Sequence, residues 1–183
     1  MSNETVYCHP NFICNAALPP PHPIRGNDKY RMWSMVSQKN QSFLKRNDQD
    51  QSLLFDGDVH VDPKESALVN IEAENAGSST QKLYRLQFAD PNDNDKVFMI
   101  TGEKHNGKPV VTLKHVDKTS NTPNGAKFEA INFYAFTMFR CYSVDGQTDL
   151  YLASDRDGKV LLINGEITRY PNPAMLFIAN QVI

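Results

Sequence analysis

The residues best suited to chemistry are few, and their spacing is poor. Cys8, His9, Cys14 and His22 are zinc-binding types, but five residues separate the cysteines where zinc sites use two to four, and prolines interrupt the segment. Asp90-Pro91-Asn92-Asp93-Asn94-Asp95 offers oxygen ligands in the manner of a calcium loop. Its sixth position is Asp95 where that loop turns on glycine, and its twelfth is Thr101 where a bidentate glutamate closes the site. It reads as a solvated turn between strands. No Gly-x-Ser-x-Gly elbow and no Gly-x-x-x-x-Gly-Lys phosphate loop occurs. Cys141 sits in an apolar strand pattern, where a thiol serves as packing. His60, His105 and His115 adjoin strands and turns without ligand spacing. The expectation is a non-enzyme with no catalytic residue, metal or cofactor.

Composition narrows the partners. The 183 residues carry a formal net charge of −2, with 40% hydrophobic and 22% charged residues, as in an ordinary single globular domain. That balance gives no pull toward nucleic acid. No apolar run reaches the roughly 18 residues of a membrane span, and the N-terminus lacks a secretory signal pattern, so a soluble cytosolic product without membrane insertion is expected. On that expectation the acceptor patterns at Asn3 and Asn40 go unused. Three cysteines, an odd number, argue against a disulfide framework.

The elements that would have to position any site follow from a repeat. Phe43 to Phe55, Phe98 to Leu113 and Tyr151 to Leu162 read as copies of one hairpin, recurring at roughly 50 residues. A strand pattern precedes each copy (Tyr30 to Val36, Leu83 to Phe88, Met138 to Tyr142), and another follows (Ala67 to Ile71, Phe128 to Phe133, Ala174 to Ala179). No helical apolar stripe lasts three turns, so helices should be absent or single-turn. Twelve short strands in three like units avoid exposed edges by closing six into a barrel and capping one end with three hairpins. That is the β-trefoil architecture. Asn106-Gly107 and Asp157-Gly158 supply positive-φ positions for tight turns, whereas the glycine-free Asn47 to Asp50 predicts a longer loop. Glu103 to Pro109 is expected to form a long loop. Residues 1–28, with their Pro19-Pro20-Pro21-His22-Pro23 run, predict a flexible leader, leaving 29–183 as the trefoil.

Residues from Tyr30 onward resemble the interleukin-1 family of β-trefoil cytokines. Arg31-Met32-Trp33 with Ser42-Phe43-Leu44-Lys45-Arg46-Asn47 is similar to the first two strands of the receptor-antagonist branch. Phe133-Tyr134, Phe139 and Tyr151-Leu152-Ala153-Ser154 resemble the family's third unit, and Ala174-Met175-Leu176-Phe177-Ile178 its last strand. The resemblance implies a leaderless cytokine, a cytoplasmic precursor that becomes extracellular by unconventional secretion. As a monomer it would bind cell-surface interleukin-1-receptor-type primary and accessory chains and modulate inflammatory and immune signalling. It also implies, as in the interleukin-18 type, processing after an aspartate at the leader junction, here Asp28.

Tyr151 to Val160 also looks like a hairpin of fibroblast growth factors, although 19 basic residues against 21 acidic ones do not make the cationic face those proteins carry. A glycan-binding trefoil and an intracellular trefoil binding module complete the alternatives. Lys45, Arg46, Lys104, Arg156 and Arg169 are the loop residues expected to be exposed toward a receptor.

Overall fold

The computed structural model describes residues 24, 26–58, 60, 66–74 and 82–182; Cys8, His9, Cys14, His22 and Asn3 lie outside them. Twelve strands form among the described residues: β1 (Asp28–Ser34), β2 (Phe43–Arg46), β3 (Leu53–Gly57), β4 (Val69–Glu74), β5 (Leu83–Ala89), β6 (Lys96–His105), β7 (Lys108–Asp117), β8 (Phe128–Phe133), β9 (Phe136–Cys141), β10 (Leu150–Ser154), β11 (Val160–Asn164) and β12 (Phe177–Gln181). Antiparallel pairing runs β1–β4, β4–β5, β5–β8, β8–β9, β9–β12 and β12–β1. Six strands thus close into a barrel without an edge. The other six form the hairpins β2–β3, β6–β7 and β10–β11, each paired to the barrel strand before it.

The strands form where side chains alternate between core and outside. In β1, Tyr30, Met32 and Ser34 are buried while the residues between them are less so. Strand β10 is buried on both faces, because Leu150 and Leu152 enter the main core while Tyr151 and Ala153 join Met138 and Met175 in a second cluster. β1 stops at Ser34, whose Oγ accepts from the Val36 and Ser37 N–H groups and offers the backbone an alternative to the ladder. The last strand begins later than expected. Asn172 caps a 3₁₀ turn over Pro173–Met175 by accepting from the Ala174 N–H at 3.0 Å, so pairing starts at Phe177.

The turns divide by chemistry. Glycine-free Asn47 to Ser52 is the longer loop expected, held by Asn47 Oδ1 accepting from Gln49 N–H and Asp50 Oδ1 from Ser52 N–H. The long loop expected at Glu103 to Pro109 is instead regular hairpin. The β6–β7 ladder continues to His105 opposite Lys108, and Asn106 (φ 51°) and Gly107 (φ 76°) alone make the turn. In the third hairpin only Gly158 takes positive φ, at 82°. A Cβ there would stand 2.6 Å from the Phe55 carbonyl oxygen, while Phe55 N–H donates to Gly158 O at 2.6 Å. Chain direction and close approach both demand glycine at this place.

The folded unit also reaches further back than residue 29. Ile24 is buried in the main core, and Asp28 is the first residue of β1, opposite Ile71. At the centre, Phe177 stacks on Phe55 with ring centroids 5.1 Å apart and lies 6.3 Å from Phe139, so one side chain joins units one and three. Phe177→Ala is expected to cost about 3–5 kcal/mol. Equilibrium urea unfolding would show this as a lowered midpoint.

Candidate functional site

The surface most suited to recognition is the segment joining β11 to β12, which is fixed at both ends. At one end Gly165 N–H donates to Asp149 O at 3.0 Å, and its Cα packs so closely that a Cβ would lie 2.5 Å from Met175 Sδ and 2.7 Å from Tyr151 Cδ2. At the other end stand buried Pro171 and the Asn172 cap. Between these anchors Glu166, Ile167, Thr168, Arg169 and Tyr170 are all exposed. Ile167 is 56% exposed and Tyr170 81%, and the Arg169 guanidinium lies 5.5 Å from the Tyr170 ring centroid. Tyrosine and arginine are the types that most often dominate binding energy at interfaces, and a segment rooted at both ends loses less entropy when it docks.

Beside this segment is a cleft of about 480 Å³ lined by Asp149, Asn164, Gly165, Glu166, Thr168 and Asn172, with Met175 at its base. Gln147 Nε2 donates to Asn164 Oδ1 at 2.8 Å and orients that amide. Its lining is carboxylate, amide and hydroxyl, suited to a polyhydroxylated ligand.

The five charged residues expected on exposed loops separate into two groups. Lys104, Arg156 and Arg169 are exposed, on the β6–β7 hairpin, the β10–β11 turn and the β11–β12 segment. Arg46 is not, and this corrects the expectation. Its side chain is 3% exposed, with the guanidinium 4.0 Å from the Phe98 ring centroid and Nη2 2.6 Å from Asp48 Oδ1. Lys45 is half-buried, with Nζ 3.7 Å from Asp56 Oδ1. Both lie in β2 on opposite faces: Arg46 turns against Phe98 of the second hairpin, and Lys45 toward Asp56 of its own partner strand β3.

Other candidate chemistry is absorbed by structure. Burial pushes the Cys141 thiol up to about 11, and its Sγ donates to Gly125 O at 3.3 Å. At neutral pH it is a packing thiol. His115 stacks on Phe98, ring centroids 4.4 Å apart, and its Nε2 lies 2.7 Å from Asp90 Oδ2. Asp90 belongs to the calcium-like run, but its other oxygen accepts the Asn92 N–H at 2.8 Å, closing a turn. Among the described residues no three His, Cys, Asp or Glu side chains converge as a metal site.

Sequence reasoning missed Ile167, Tyr170 and Tyr134. Tyr134 is 92% exposed at the β8–β9 turn with φ 53°, a strained conformation for an aromatic residue. The available signal was an apolar residue within a segment that alternates with nothing, as Ile167 does between Glu166 and Thr168.

The comparisons agree with this architecture. The fold is similar to a BEL β-trefoil in its apo form, with a TM-score of 0.58 and 15% identity over 90% of this chain and 100% of that one. An SDF2-like protein from Arabidopsis thaliana follows at 0.55 and 12%, covering 84% and 93%. A Polyporus squamosus lectin bound to a human-type influenza-binding epitope matches at 0.58 and 13%, covering 86% of this chain and half of the lectin. No protein-family model and no curated protein matches the sequence. The chain is therefore a β-trefoil, and at these identities the likeness is one of fold.

Among the described residues three carboxyls sit below their ordinary values: Asp90 chiefly through the Asn92 N–H bond with His115 assisting against partial burial, Glu103 through Lys114, and Asp50 through Ser52. A lowered carboxyl contributes stability above its unfolded value and loses it as pH falls through the folded one. Urea midpoints should therefore drop between about pH 4 and pH 2, and Asp90→Asn should make that drop shallower.

Proposed function

We propose that this chain is a protein ligand: an interleukin-1-like cytokine that engages immunoglobulin-domain receptors of the interleukin-1 receptor class. The observation that carries this reading is the doubly anchored β11–β12 segment, which offers Ile167, Arg169 and Tyr170 to a partner from a rigid scaffold. The strand residues that resemble the family, Arg31 to Asn47 and Phe133 to Ser154 among them, support it from the sequence side. Signalling in this reading is bridging: one monomer offers two surfaces, each burying about 800 Å² per partner, to a primary and an accessory chain. The trefoil supplies position and the loops supply recognition, with no bond made or broken. Release from the cytosol by unconventional secretion, with processing near Asp28, belongs to the same reading.

A second reading rests on a separate observation. The cleft lined by Asp149, Asn164, Glu166, Thr168 and Asn172 suits a glycan, and one structural neighbour is a lectin bound to a sialylated epitope.

Pull-down against receptor ectodomains, scored for primary and accessory chains, separates the two. Retention by a receptor chain is expected, and Tyr170→Ala should weaken it about 30-fold, the effect of losing a hot spot worth about 2 kcal/mol. Retention on a neutral glycan at physiological salt, with no receptor chain captured, would transfer the function to the cleft, whose Asp149 and Glu166 carboxylates repel a polyanion such as heparin.

A further inference from the structure

Three Asn-Gly steps occur in this chain: Asn106-Gly107, Asn124-Gly125 and Asn164-Gly165. In each, the glycine nitrogen can attack the amide of the asparagine before it, because glycine puts no side chain in the way. The fold treats the three differently. Gly125 is buried in the 3₁₀ turn Asn124–Ala126, where a Cβ would stand 2.0 Å from Gly102 O and where its own carbonyl accepts from Cys141 Sγ at 3.3 Å. At Asn164 both reacting groups are engaged. Its Oδ1 accepts from Gln147 Nε2 at 2.8 Å, and the Gly165 N–H donates to Asp149 O at 3.0 Å. Gly165 is further wedged against Met175 and Tyr151. Asn106-Gly107 has none of these restraints. Both residues are exposed at the tip of the β6–β7 hairpin, a Cβ on Gly107 would meet nothing within 4 Å, and among the described residues no group accepts from the Gly107 N–H.

We propose that Asn106 is a modification site, at which the side-chain amide becomes a carboxylate through a cyclic imide closed with Gly107. The Gly107 nitrogen bonds to Asn106 Cγ, the Cγ–Nδ2 bond breaks, and the Gly107 amide proton leaves with the departing nitrogen as ammonia. Water then opens the imide, at the Cγ–N bond to give aspartate or at the backbone C–N bond to give isoaspartate. Nothing is oxidised or reduced. Attack requires Asn106, at φ 51°, to leave the turn, and at the tip that breaks only the last cross-strand pair, His105 with Lys108. The two products differ mechanically. Aspartate tolerates the left-handed region and keeps the turn. Isoaspartate lengthens the backbone by a methylene, which a two-residue hairpin turn does not accommodate. Either product places a negative charge beside Lys104 and Lys108, neither of which has a carboxylate partner among the described residues, whereas nearby Lys114 is paired with Glu103. The charge of this hairpin tip is therefore set by the age of the chain.

The test incubates the full-length chain at neutral pH, folded and in urea, and follows it by peptide mapping with mass spectrometry, which reads a gain of about one dalton at each converted asparagine. In urea the three sites should convert within about threefold of one another, because the unfolded chain no longer sets them apart. In the folded protein Asn106 should convert at least about tenfold faster than Asn124 and Asn164, which react only through larger openings of the packed structure. NMR shifts on conversion should be confined to Lys104 to Pro109 and leave Leu152 and Phe177 unmoved. Asn106→Gln, whose longer side chain closes an imide poorly, should abolish the mass gain in that peptide. Folded-state conversion at Asn106 no faster than at Asn124 or Asn164 would overturn the assignment, and so would an Asn106 that stays an amide in the folded chain while converting in urea. A mass gain in the same peptide that persists in Asn106→Gln would place the reaction elsewhere and equally overturn it.

Discussion

The three hairpins hold one another in a ring, and everything else in the molecule depends on that. Arg46 of the first hairpin lies over Phe98 of the second. Gly102 of the second leaves room for Leu162 of the third, whose Cδ1 would stand 2.7 Å from any Cβ at that position. Phe55 of the first and Gly158 of the third approach to hydrogen-bond distance. Each hairpin touches both others, and their parent strands β1, β5 and β9 are alternate members of a barrel that closes only when β12 pairs with β1. The constraint is non-local: residues near 30 must meet residues near 180 before the core is sealed. Such topology makes stability cooperative and folding slow relative to locally connected folds.

The same constraint separates scaffold from recognition. Substitution at Phe177 or Gly158 reaches units one and three through shared contacts. The β11–β12 segment is different, since Gly165 and the Asn172 cap isolate Glu166 to Tyr170 from the core. A trefoil can therefore vary what it binds without altering how it folds, in keeping with structural neighbours of 11–15% identity. The function proposed for this chain consequently rests on its loops and on the character of its strand residues, not on the trefoil itself.

Much of the fold was legible in the sequence because its signals are local. Alternation in Tyr30, Met32 and Ser34, the Asn106-Gly107 turn and the glycine-free Asn47 loop each follow from neighbouring residues. What escaped depends on distant partners. Arg46 looks like a surface charge until Phe98 arrives from another unit to cover it, and Asp48 to pair with it. Ile24 looks like leader until the main core takes it in. Expecting Glu103 to Pro109 as a long loop underrated Asn106-Gly107, which lets the ladder run on to His105 and Lys108. Of the candidate site, Arg169 was legible as an exposed charge; Ile167 and Tyr170 were not, because an exposed apolar residue carries no periodic signature.

Native-state hydrogen exchange on the full-length chain tests most directly whether one closed scaffold carries independent loops. Protected amides of the β2–β3, β6–β7 and β10–β11 hairpins and of the β1–β12 ladder should share a single opening free energy, equal to that of global unfolding, while Glu166 to Tyr170 exchange by local motion. Three hairpins exchanging at separate free energies, or a protected β11–β12 segment that opens only with the barrel, would contradict the account.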